Sequence, residues 1–239
     1  MNYELIKSHI SNMINRNSCW NIDEDGIFSV DDKIYKPMPW RYDCRLRTLY
    51  HLAIENESVS GLCSYKATVV ESKDADVYEL LYRELDVCQW VLNDKIASVY
   101  ALSNGGRTIS LIAKTKKKVM CAIDIATTLS DETTPITRHE IVGQQGVISD
   151  RCFDEKIPTK TVYVFEDDKM NPSSYADLDL FLNGLNPEEV NMSEYMTDVI
   201  TKSEFREETT KTHIEILQII DCVNASLKTG DVVKTEVSI

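Results

Sequence analysis

The chain has 239 residues, 43% of them hydrophobic and 27% charged, enough to bury a core and too apolar for a disordered segment. Its 39 acidic residues outnumber 26 basic ones and leave a net charge of −13, which argues against nucleic acid and anionic membrane as partners, because a polyanion binder presents a basic face. No run approaches the ~18 apolar residues of a membrane span, and Met1–Asn17 has no signal-peptide core, so a cytoplasmic setting is expected.

In chain order, Asn2–Arg16 predicts a helix, with Leu5, Ile6, His9, Ile10, Met13 and Ile14 at helical spacing. A hairpin follows, Gly26–Val30 and Lys33–Tyr35 about a turn at Asp31-Asp32. Pro37 and Pro39 break the chain, and Asp43 caps a helix running to about Glu57. The centre is strand-rich: Gly61–Val70, Ala97–Leu102, Thr108–Ala113, Val119–Thr128, Ile136–Val142, Gly146–Ser149 and Thr161–Phe165, with a helix Asp74–Leu92 after the first of these. Asn104-Gly105-Gly106 and Lys116-Lys117-Lys118 mark hairpin turns, the lysines reading as a solvated tip that blocks edge pairing. The last third is helical: a short helix Asp177–Asn183, Glu188–Ile200 behind Pro187, and Thr210–Thr229 stopped by Gly230, with a final strand Asp231–Val237.

This order predicts an α+β fold, an open, mainly antiparallel sheet with helices packed on one face and the other face used for oligomerisation. Strands 108–128 carry apolar residues at both parities, Ile109, Leu111 and Ala113 beside Ile112, and Cys121 and Ile123 beside Met120 and Ala122. A face that the chain's own helices leave uncovered predicts a homo-oligomer, a dimer joined through the sheet.

Seven scattered cysteines without a C-x-x-C read as reduced core residues, Cys152 beside Arg151 being an unassigned thiol. The four histidines show no metal-ligand spacing, and Glu166-Asp167-Asp168-Lys169 reads as a hairpin loop, so no metal is expected. None of the eight glycines forms G-x-G-x-x-G or G-x-x-x-x-G-K, so no cofactor is expected either. His139, on a strand between Arg138 and Glu140 with no nucleophile at matching spacing, reads as structural. Trp90 reads as core, and Trp40 beside Arg41 as a stacking platform for a ligand ring.

Several segments in order resemble the C-terminal, substrate-side domain of the Gfo/Idh/MocA oxidoreductases. Trp40-Arg41-Tyr42-Asp43 with the following Ser58-Val59-Ser60-Gly61 is similar to the family's R-(Y/F)-D-P entry, Cys44 standing for the proline. Glu84-Leu85-Asp86 through Trp90-Val91-Leu92 is similar to its H-x-(I/L)-D-x-x-x-W-L helix, and Val99-Tyr100-Ala101 to the strand after it. Glu140-Ile141-Val142-Gly143-Gln144-Gln145-Gly146 resembles its I-x-G-x-x-G hairpin, and Thr229-Gly230-Asp231-Val232-Val233 its ending. The resemblance covers roughly 40–237 and divides the chain into an extension, 1–39, and a family-like domain, 40–239.

The resemblance implies NAD or NADP chemistry on a sugar or polyol, but the nucleotide-binding half has no counterpart in the 39 residues before Trp40. Tyr35-Lys36-Pro37 mimics the family's E-K-P lysine motif, yet lies almost against Arg41. The family's Asp-x-x-x-His acid/base pair falls on Glu79 and Arg83, and arginine stays protonated at any working pH. Glu79 and Arg83, one turn apart, predict an ion pair on a charged face shared with Asp76 and Asp86, either solvated or lining a remnant pocket. The ligand-binding candidates are therefore Arg83, Asp86, Trp40 and Arg41. The expected role is assembly with binding of a small polyol or sugar and no autonomous dehydrogenase activity; the alternative is an NAD(P)-dependent oxidoreductase subunit completed by a separate nucleotide-binding chain.

Overall fold

The computed structural model describes residues 1–14, 19–55, 61–150, 161–166, 173–176 and 184–235. Its elements are α1 (Tyr3–Met13), β1 (Trp20–Ile22), β2 (Phe28–Val30), β3 (Lys33–Tyr35), a 3-10 turn (Pro39–Tyr42) and α2 (Cys44–Glu55). Then come β4 (Ser64–Ser72), α3 (Val77–Leu92), β5 (Ile96–Ser103), β6 (Thr108–Thr115), β7 (Met120–Leu129), β8 (Ile136–Val142) and β9 (Gly146–Ser149). The chain ends with β10 (Thr161–Glu166), β11 (Ser173–Ala176), α4 (Pro187–Thr201), α5 (Ser203–Thr229) and β12 (Val233–Lys234). Two compact units emerge, Met1–Leu46 with Leu178–Ile214, and Arg47–Asp177 with Glu215–Ile239.

In the first unit, local chemistry sets each element. Asn2 caps α1 by accepting from the Leu5 N–H at 3.1 Å, and Ile6 and Ile10 bury the helix's apolar stripe. β1, β2 and β3 form an antiparallel sheet in that order. Asp31 and Asp32 turn β2 into β3 at φ 49° and 62°, the paired left-handed conformation that a two-residue hairpin requires. Asn186 and Glu189 make a reciprocal capping box around Pro187 at the start of α4. The Glu189 carboxylate also accepts the Asn2 N–H at 2.7 Å, so one side chain ties together the first turns of α1 and α4. Tyr42 donates its hydroxyl to Asp198 on α4 at 2.6 Å and meets Tyr195 edge-on.

The second unit is built on a sheet in which the described strands order β11-β10-β9-β8-β4-β7-β6-β5-β12. β4 runs parallel to β7, and the other pairings are antiparallel. Burial alternates along the central strands. Tyr65, Ala67 and Val69 of β4, Ile109, Leu111 and Ala113 of β6, and Cys121, Ile123 and Ile125 of β7 point into the core. α3 packs against β4, β6 and β7, with Leu81, Leu85, Val87, Cys88 and Val91 excluded from solvent. The opposite parity carries Lys66, Ser110, Lys114, Asp124 and Arg138 with scattered Ile112 and Met120, all exposed. The double parity expected from composition is thus one dry face and one mixed face. Fully buried Ser226 of α5 accepts the Ala101 N–H at 2.9 Å and donates to the Asp231 carbonyl at 2.7 Å, holding the end of α5 to β5.

The strands and helices expected from the sequence lie within a few residues of those found. β1 and β11 were not anticipated, because three or four residues show no usable periodicity. α5 begins at Ser203, seven residues before the expected start, through a polar first two turns that give no apolar stripe. Cys88 and Cys121 are buried as expected, whereas Cys19, Cys44 and Cys63 are exposed. The proposed helix at 177–183, the loop at 167–169 and Cys152 lie outside the described residues. Replacing Asn186 by alanine removes the α4 cap; the expected loss is about 1 kcal/mol, read as a lower urea midpoint at unchanged slope.

Candidate functional site

α3 carries the charged residues singled out from the sequence. Asp76 caps it by accepting the Tyr78 N–H at 2.8 Å, and Asn93 ends it in the left-handed region at φ 44°. Between these caps Glu79 is exposed, Arg83 is half-buried, and Glu84 and Asp86 are buried. Asp86, expected on a hydrated face, is at 0% exposure and belongs to the core side of the helix. The ion pair that Arg83 makes is with its neighbour Glu84, Nε to Oε1 at 2.9 Å. Its Nη2 is buried and has no hydrogen-bond partner.

The second Glu84 oxygen reaches His139 on β8. Glu84 Oε2 lies 3.0 Å from Nε2, and Asp150, just past β9, sets its Oδ2 2.8 Å from Nδ1. The other Asp150 oxygen accepts the backbone N–H of His139, and the Asp150 N–H returns to the His139 carbonyl at 3.1 Å. With a carboxylate at each ring nitrogen, both nitrogens donate and the ring is an imidazolium. Burial by itself would lower the pKa of His139, but the Asp150 and Glu84 carboxylates outweigh it and raise it to about 9. Burial likewise works to raise Glu84, and His139 and Arg83 outweigh that to hold it at about 2. The result is a neutral row, Arg83–Glu84–His139–Asp150, joining α3 to β8 and the end of β9. The Tyr65 ring lies 6.2 Å from His139, and its buried hydroxyl, without a partner, is kept protonated by burial and by the nearby Glu84 carboxylate.

This row is a clamp, not an acid–base catalyst: the His139 side chain is at 0% exposure and has no lone pair free. Glu79 offers an exposed acceptor, and Arg83 a permanent donor that cannot exchange a proton at working pH. The other two ligand candidates lie in the first unit. Trp40 is half-buried in the 3-10 turn rather than standing as an open platform, and Arg41, with a side chain 10% exposed, pairs with Glu208 at 3.5 Å. Asp43 caps α2 through the Leu46 N–H at 3.1 Å, and the Lys36 carbonyl accepts the Tyr195 hydroxyl at 3.3 Å. Trp90 is half-buried and stacks on Tyr50 with ring centres 5.0 Å apart. Sequence reasoning set His139 down as structural and missed Glu84 and Asp150. The available signal was an acidic residue within the apolar stripe Leu81–Leu85–Cys88 of α3. Among the described residues no group of three or more His, Cys, Asp or Glu is arranged to hold a metal ion, and no helix is long and apolar enough to cross a membrane.

No family profile and no curated protein matches the sequence. Solved structures do match in fold. Levoglucosan dehydrogenase in complex with NADH and levoglucosan aligns with a TM-score of 0.62 at 12% identity, over 83% of this chain and 65% of that one. An oxidoreductase from Agrobacterium radiobacter in complex with NAD+, L-tartaric acid and magnesium gives 0.65 at 12% identity, over 83% and 64%. Apo scyllo-inositol dehydrogenase from Lactobacillus casei gives 0.56 at 13% identity, over 83% and 62%. The chain thus has the fold of Gfo/Idh/MocA-type oxidoreductases and spans just under two thirds of the length of these solved chains.

These structures correct the expectation of no cofactor: proteins of this fold are solved with NADH or NAD+ bound. Gly105 and Gly106, at φ 71° and 72°, turn the β5–β6 hairpin, and none of the described glycines opens a helix after a strand in the phosphate-binding pattern.

The clamp makes stability depend on pH. His139, raised in the folded state, contributes fully below about 6.5 and loses its contribution as pH rises through about 9. Glu84, lowered in the folded state, contributes above about 4.5 and loses its contribution as pH falls toward about 2. Urea midpoints should therefore fall on both sides of a plateau between these limits. His139→Ala removes the imidazolium from between two buried carboxylates, Glu84 keeping Arg83; the expected cost is about 3–5 kcal/mol, with the alkaline limb of the profile flattened.

Proposed function

We propose that this chain is the substrate-side half of an oxidoreductase of the sugar and inositol dehydrogenase type, and that it binds a polyhydroxylated substrate beside an NAD-type dinucleotide carried by a separate nucleotide-binding chain or segment. The observation that carries this reading is the fold shared over 83% of the chain with levoglucosan dehydrogenase solved with NADH and levoglucosan. In this reading residues 40–239 form the family-like domain and 1–39 an extension. Arg83 orients substrate: Glu84 fixes its Nε edge, and its remaining donors serve hydroxyl oxygens. Glu79, one turn earlier on the same helix, supplies an acceptor, and a polyol offers both donors and acceptors to such a pair. Proton transfer falls to a group other than Arg83.

Two copies join through the mixed sheet face, around the exposed Leu102, Ile112 and Met120. Light scattering should then report twice 27.3 kDa at micromolar concentration, and a 27.3 kDa monomer would overturn the dimer.

Substrate binding is tested by thermal unfolding of the full chain with levoglucosan or scyllo-inositol, with and without NADH. A ligand that binds only the folded state raises Tm in a saturable way, by about 2.7 kcal/mol of stability at a hundred times Kd. The expected result is such a rise, lost in Arg83→Met. A Tm unmoved by either polyol, with or without NADH, sinks the reading.

A further inference from the structure

The outward face of β4, β8 and β9 contains a hollow of about 190 Å³ that no role described so far uses. Among the described residues it is lined by Lys66, Thr68, Arg138, His139, Glu140 and Ser149. The register places Lys66 opposite Glu140, Thr68 opposite Arg138, and Glu140 opposite Ser149. Opposite charges at directly facing positions ordinarily pair. Here, among the described residues, Lys66, Arg138 and Glu140 form no ion pair or side-chain hydrogen bond with one another or with any other group. Two cations and one carboxylate thus stand unspent around one hollow in a chain of net charge −13.

Ser149 is fully buried and donates to the His139 carbonyl at 3.3 Å. The floor is rigid. Asp150 and His139 lock β8 to the end of β9 from the opposite side of the sheet, so the positions of Arg138 and Glu140 are set before any ligand arrives.

We propose that this hollow binds a small hydroxy-carboxylate, its carboxylate between Lys66 and Arg138 and its hydroxyl donating to Glu140. The size agrees: a cavity of about 150 Å³ holds benzene, so this one suits a ligand of roughly six to ten non-hydrogen atoms. The charges select the class. A simple oxyanion satisfies the cations and is repelled by Glu140, whereas a neutral polyol leaves both cations unmatched. A carboxylate bearing a hydroxyl answers all three. The inference is independent of the substrate reading at Arg83.

Isothermal titration of the full chain at low salt with L-lactate, propionate and inorganic phosphate tests it. L-lactate should bind saturably, and propionate, which lacks the hydroxyl, several-fold more weakly. Arg138→Gln and Lys66→Gln should each weaken L-lactate by about ten-fold or more, the worth of a charge-assisted hydrogen bond. Glu140→Gln should erase the preference for lactate over propionate. The three positions are exposed or half-buried, and circular dichroism confirms that each variant is folded before its titration is read. No saturable heat with L-lactate, phosphate binding as tightly as lactate, or affinity indifferent to Arg138→Gln each overturns the site.

Discussion

Everything on α3 depends on the row of four charges that ends at Asp150. A buried imidazolium between two carboxylates is costly to desolvate, and an apolar replacement of similar volume is often no less stable. What the row supplies is position. Each Glu84 oxygen has one partner, Arg83 on its own helix and His139 on a strand 55 residues away in sequence. Sliding or rotating the helix would break the His139 contact and leave a buried imidazolium short of one carboxylate, so the helix has one acceptable seat on the sheet. The orientation of Arg83 follows from that seat.

The same strand works on both of its sides. His139 turns inward to the clamp, while Arg138 and Glu140, its neighbours, turn outward to the hollow. Because side chains alternate along β8, rigidity acquired in the core passes without intermediaries to the outer face. The first unit shows a comparable economy in the Trp40–Asp43 segment. Arg41, Tyr42 and Asp43 there serve an ion pair, a hydrogen bond and a helix cap. Residues that resemble a family's entry motif are thus occupied by structural duties.

The helices and most strands were legible because their apolar residues recur at 3.6 or at 2 and because Asn2, Asp43, Pro187 and Gly230 punctuate them. The parallel pairing of β4 with β7 was not, since strand order is a property of contacts remote in sequence. Composition overstated the apolarity of the outer face: Ile112 and Met120 are real but isolated among Ser110, Lys114 and Asp124. At the site, the position of Arg83 was legible and its partner was not. An arginine followed by a glutamate reads as two solvated charges until the stripe Leu81–Leu85–Cys88 shows that Glu84 faces inward, and nothing local says that the cation awaiting it is His139. Asp150 is harder still, because its role depends on where β9 ends.

The way β5 is finished bears on how copies of this protein can meet. An unpaired strand edge is a template for continued pairing, and a sheet that grows edge to edge has no natural stopping point. Among the described residues β12 pairs with β5 at Val99 and Ser98, the Thr235 N–H reaches the Ala97 carbonyl at 3.0 Å, and the Ser226 hydroxyl takes the Ala101 N–H on the other side of the pairing. The short strand, Thr235 and one serine thereby occupy backbone groups of β5 that a neighbour's strand would need. At this end of the sheet, edge-to-edge pairing is discouraged by a side chain drawn from a helix.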